Sequence, residues 1–163
     1  MESKIIEANG FVLKDEQGNK RVVLEMGPDD CPKLDFLDKN GHQRLSVGLT
    51  KSDEPLVSLT DESGTNRFSF GFINEGVQGI KMNDVNGNGA ITFTVTEDGR
   101  GRIILHDAGG QARIMLSLSA QGNPTVGLGD FNGKIRMAMV LSENGQPAII
   151  TTDENGEISK NLV

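Results

Sequence analysis

Seven aspartates, Asp15, Asp38, Asp61, Asp84, Asp107, Asp130 and Asp153, follow one another at intervals of 23 residues. Each has a glycine three positions on, from Gly18 through Gly41, Gly64, Gly87, Gly110 and Gly133 to Gly156. A period of this length means that one small unit is built repeatedly and stacked on its own neighbours. The Asp-x-x-Gly stretch is turn chemistry: the carboxylate suits the backbone two residues on, and glycine suits a positive φ.

With the aspartate counted as position zero, positions −4 and −2 are apolar before it. They read Phe11 and Leu13, Leu34 and Phe36, Val57 and Leu59, and so on to Ile149, with Thr151 replacing an apolar residue in the last copy. Positions +7, +9 and +11 are apolar after it, as in Val22, Leu24 and Met26 or Ile91, Phe93 and Val95. Apolar residues at a spacing of two are the signature of a strand with one buried face. Each repeat is therefore a short strand, a turn and a slightly longer strand, and the chain is all-β with seven two-stranded repeats in a single domain, 1–163.

A second turn, represented by Glu97-Asp98-Gly99-Arg100, Ala120-Gln121-Gly122-Asn123 and Glu143-Asn144-Gly145-Gln146, leads into the next repeat. Pro32, Pro55, Pro124 and Pro147 open the strand that follows, where a missing donor is tolerated. If Gly99, Gly122 and Gly145 hold the left-handed position of a type I turn with a bulge, +9 faces the next −4 and +7 faces the next −2. All four are apolar, so this connection is a sound hairpin. The same loop at Asp-x-x-Gly would set −2 against the arginine at +6, so a longer loop or an arc into a second sheet is expected there. The hairpin register favours an extended antiparallel β-meander with one apolar face. The absence of insertions keeps a β-solenoid open as the alternative.

A meander with one apolar face has a consequence for assembly, because exposed apolar patches beyond a few hundred Å² are rare on monomers. It predicts a homo-oligomer, a dimer or a trimer with the apolar faces turned inward.

The net charge of −7 argues against nucleic acid, whose partners gather lysine and arginine into a positive footprint. The single Cys31 cannot form an internal disulfide. No apolar run approaches a membrane span of about 20 residues, and residues 1 to 12 carry no signal-peptide core. These features lead to the expectation of a chain that meets no membrane and is cytoplasmic or virion-associated.

Candidate chemistry is sparse. Asp84, Asn86 and Asn88 match the opening of a calcium loop, but Val95 stands where a bidentate glutamate should close it. Arg21, Arg44, Arg67, Arg113 and Arg136 form a row at +6, broken by Ala90. Guanidinium groups suit carboxylates and phosphates, so the row is a candidate anion-binding stripe; equally, it is a ladder paired with neighbouring acids. His42 and His106 lie three repeats apart and cannot share one proton. With no nucleophile–base pair and no phosphate-cradling loop, the chain reads as a non-enzyme without a cofactor. Tryptophan and tyrosine are absent, leaving Phe131 at a turn tip as the one exposed aromatic a sugar ring could stack on.

The pattern Phe-x-Leu-x-Asp-x-x-Gly-x-x-Arg-x-x-Leu, clearest at Phe11, Leu13, Asp15, Gly18, Arg21 and Leu24, resembles tandem repeats of bacterial and phage-associated proteins of mostly unassigned role. Some such segments belong to fibrous, trimeric tail-fibre or surface proteins. The resemblance implies a structural or protein-interaction module that associates with itself. The alternative is a ligand-binding module that takes a cation, anion or glycan on its turn loops or arginine row.

Overall fold

The computed structural model describes residues 5–74 and 76–161; Leu162, a member of the apolar stripe at +9, lies outside them. The chain forms fourteen strands. They are β1 (Gly10–Lys14), β2 (Lys20–Met26), β3 (Pro32–Leu37), β4 (Gln43–Leu49), β5 (Pro55–Thr60), β6 (Asn66–Asn74) and β7 (Val77–Asn83), then β8 (Gly89–Val95), β9 (Gly101–His106), β10 (Ala112–Leu118), β11 (Pro124–Gly129), β12 (Ile135–Leu141), β13 (Pro147–Thr152) and β14 (Ile158–Asn161). They follow one another in sheet order as an open antiparallel meander, not a solenoid. Among the described residues no helix is long and apolar enough to cross a membrane. By packing, the chain divides into two compact units, Met1–Gly71 and Phe72–Val163.

The register between repeats is the one the sequence dictates. Leu24 faces Leu34 and Val22 faces Phe36 in the first unit, and Leu116 faces Val126 and Ile114 faces Leu128 in the second. Pro32, Pro55, Pro124 and Pro147 each open a strand.

The Asp-x-x-Gly connection differs from the expectation of a long loop or an arc. It is a tight hairpin built like the other. At Asp15 the Gly18 N–H donates to the Asp15 carbonyl and the Asp15 N–H to the Asn19 carbonyl, both at 3.0 Å. The stripe survives because one residue is bulged out of the ladder: Leu13 faces Val22 and Lys14 faces Lys20, so Arg21 has no opposite number. The same skip recurs at Arg44, Arg67, Ala90, Arg113, Arg136 and Ser159. A bulge inserts one residue into one strand and restores the alternation beyond it. The arginine that was expected to break the stripe is the residue removed from it.

Each face then reads as continuous cross-strand rows. In the first unit the apolar face carries Leu24, Leu34, Val47, Val57 and Phe70 in register across β2 to β6. In the second it carries Ile80, Phe93, Ile103, Leu116, Val126, Met139 and Ile149 across β7 to β13. The opposite face mixes polar and small residues with apolar ones, with Val23, Asp35, Ser46 and Ser58 in one row and Lys81, Thr92, Ile104, Met115 and Gly127 in another. This mixed face is the better covered. Among the described residues Val23 is the one buried apolar side chain and Asp35, 5% exposed, the one buried charge. Apolar-face residues stay open to solvent: Met26, Phe70 and Met139 are each 54% exposed.

Candidate functional site

The seven turns share one local construction. Oδ1 of each aspartate accepts the backbone N–H two residues on and the one four residues on, at 2.8–3.1 Å in every copy. One oxygen thereby satisfies two donors that the turn leaves outside the ladder. The second turn uses a hydroxyl for the same task. Oγ1 of Thr50 accepts the N–H groups of Ser52 and Glu54, and Oγ of Ser119 those of Gln121 and Asn123. Thr96 and Ser142 fall on the same 23-residue frame, which Ile73 interrupts, but their hydroxyls donate instead, to Asp98 and Asn144.

The arginine row is bound into this construction. Nη1 of Arg113 lies 3.2 Å from Oδ2 of Asp107, and the corresponding pairs at Arg21, Arg44, Arg67 and Arg136 span 3.3–3.7 Å. Nε reaches the other way, donating to the carbonyl one residue before the next aspartate: Arg21 to Leu37, Arg44 to Thr60, Arg113 to Gly129 and Arg136 to Thr152, at 2.8–3.1 Å. The guanidinium groups of Arg21, Arg44, Arg113 and Arg136 thus each tie their own turn to the following hairpin from the bulge, with two nitrogens committed within the chain. The five side chains remain 36–42% exposed.

The electrostatics follow the geometry. The Asp38 carboxyl is held below the usual carboxylate range by the backbone donor of His42 first, and Asp107 by that of Gln111. Asp61 is lowered chiefly by the Ser63 hydroxyl. At Asp15, Asp84 and Asp130 partial burial opposes ionisation and is outweighed by the donors around the carboxylate. Asp98, in the second kind of turn, falls to about 2 because it accepts from Arg100 and Thr96.

At the candidate calcium turn, Oδ1 of Asp84 takes the N–H groups of Asn86 and Asn88, both at 2.9 Å. The Asn88 amide donates to Oδ2 of Asp84 at 3.4 Å and to the carbonyl of Ala108 at 3.1 Å. The Asp84 carboxylate oxygens that would face a cation are the ones that close the turn. Among the described residues no three His, Cys, Asp or Glu side chains gather as a metal site.

His42 lies 3.6 Å from Asp38, while His106 contacts the Thr92 hydroxyl and the Gly110 carbonyl. The Cys31 thiol donates to the Thr50 carbonyl at 3.3 Å. Phe131 is 75% exposed at its turn tip. Residue patterns did not point to the Asp35 cluster. Its carboxylate accepts from Lys33 Nζ at 2.8 Å, Ser46 Oγ at 2.7 Å and Gln43 Nε2 at 3.2 Å. That contact raises the Lys33 ammonium pKa, and the buried charge is compensated as a structural feature must be.

The largest unpaired feature is the apolar face. Protein-family models and curated proteins give no match to the chain.

Proposed function

We propose that this protein is a non-enzymatic structural or protein-interaction module that associates with further copies of itself through its apolar face, as a dimer or a trimer. The observation that carries this reading is the surface balance. The chain exposes 11178 Å², against about 7,900 Å² for a compact monomer of 17.5 kDa. The excess, about 3,300 Å² on one chain, exceeds the roughly 1,000–2,500 Å² that each partner gives to an obligate interface, so there is ample surface for one. It coincides with rows of exposed leucine, phenylalanine, valine and methionine in register, a face that water disfavours. A second copy fits better than an unrelated partner, because a row of like side chains repeated at one spacing is matched by the same row at the same spacing. The resemblance to tandem repeats of fibrous proteins agrees with such a role.

Paired substitutions on adjacent residues of β10 test the reading. Leu116 points to the apolar face and Ser117 to the opposite one. Leu116→Asp should lower the assembled mass towards 17.5 kDa, while Ser117→Asp leaves it unchanged. Equal effects from the two would mean that the apolar face is not the contact.

A further inference from the structure

The mixed face of the second unit contains a groove of about 420 Å³ over β7, β8 and β9. Its lining includes the cations Lys81 and Arg102 and the imidazole of His106, with no carboxylate among them, although the chain as a whole carries net charge −7. Neither Lys81 nor Arg102 has an ion-pair or hydrogen-bond partner among the described residues. This differs from the bulge arginines, each tied to an aspartate, and from Lys33, which is tied to Asp35.

The sheet register brings these side chains together. Lys81 faces Thr92 across β7 and β8, and Arg102 faces Thr94 across β8 and β9. Two cations thus approach one pair of threonines from opposite strands. His106 is oriented by Gly110, whose carbonyl lies 3.2 Å from Nδ1, and by the Thr92 hydroxyl 3.3 Å from Nε2. Ile73, Val77 and Ile104 supply an apolar wall beside the charges. Two positive side chains, hydroxyl donors and an apolar wall are the parts of a site for an anion that carries a hydrophobic group.

We propose that this groove binds a small organic oxyanion, a carboxylate or phosphate on an apolar group, with Lys81 and Arg102 supplying the charge. The site is separate from the bulge arginines and on the face opposite the apolar rows, so it does not depend on self-association. The test is amide chemical-shift titration of the full chain with benzoate, phenyl phosphate and inorganic phosphate at millimolar concentration. Benzoate or phenyl phosphate should give saturable shifts centred on 79–81, 92–94 and 102–106; whichever binds more tightly identifies the oxyanion. Inorganic phosphate, lacking the apolar group, should bind more weakly than its phenyl ester. Lys81→Gln and Arg102→Gln should each weaken binding about tenfold, as expected for loss of a charge-assisted contact, while Lys39→Gln, at a turn of the first unit, changes nothing. The absence of saturable shifts with both organic probes in the wild-type chain would overturn the proposal, and so would saturation unaffected by either groove substitution.

Discussion

Replacing Arg113 tests whether the bulge arginines hold neighbouring hairpins together through geometry or only through charge. Nε of Arg113 donates to the Gly129 carbonyl at 3.0 Å, and Nη1 sits 3.2 Å from Asp107. A hydrogen bond from a charged donor contributes about 1.5–3 kcal/mol when shielded. The Arg113 side chain is 42% exposed, so water competes, and a contribution of about 1–1.5 kcal/mol is appropriate for the Nε bond. The Asp107 contact, open to solvent, adds little. For a chain of this size the loss corresponds to a fall in Tm of about 2–6 °C. Arg113→Met and Arg113→Lys should fall together, because lysine keeps the charge but has no second nitrogen to reach Gly129 while facing Asp107. Thermal melts followed by circular dichroism at one protein concentration provide the measurement. If Arg113→Lys melts with the wild type and Arg113→Met does not, charge alone matters and the geometric account fails.

Other perturbations follow from the same construction. Ala90 occupies the bulge where five other repeats place arginine, so Ala90→Arg should raise Tm by pairing with Asp84; a lower Tm would show that this copy cannot take the tie. Asp53 stands at φ 58°, where Gly99, Gly122 and Gly145 stand in sibling turns, so Asp53→Gly should stabilise by about 0.5–1 kcal/mol in a melt. Gly87 has φ 85°, so Gly87→Val should cost about 1–3 kcal/mol, and an unchanged melt would contradict the turn geometry. The turn aspartates Asp15, Asp38, Asp61, Asp84, Asp107 and Asp130 have folded pKa values below the unfolded value of about 3.9. Their stabilising contribution is present above that value and lost as pH falls through the lowered ones, so Tm should hold from pH 7 to about 5 and drop below about 4.

Much of the fold was legible because the period fixes which residues must be equivalent. The alternation at −4, −2, +7, +9 and +11 identified the strands and the face, and the apolar match of Leu24 with Leu34 fixed one hairpin register. The other hairpin was not legible, because a bulge adds a residue without leaving a mark on local turn chemistry. Counting back from Leu13 and Val22, both apolar and opposed, would have required one extra residue and pointed to Arg21. Where arginine stands there it makes a tertiary contact: the Nε partner of Arg21 lies 16 residues away on another strand, beyond any local spacing rule. The groove was still less visible, because Lys81, Thr92 and Arg102 share no motif and come together only through the register of three strands.

The central claim, that the apolar face is covered by another copy of the chain, is most directly tested by light scattering coupled to size exclusion on the wild-type protein at micromolar concentration. The account predicts a mass of two or three times 17.5 kDa. A sharp, stable species of 17.5 kDa would contradict it.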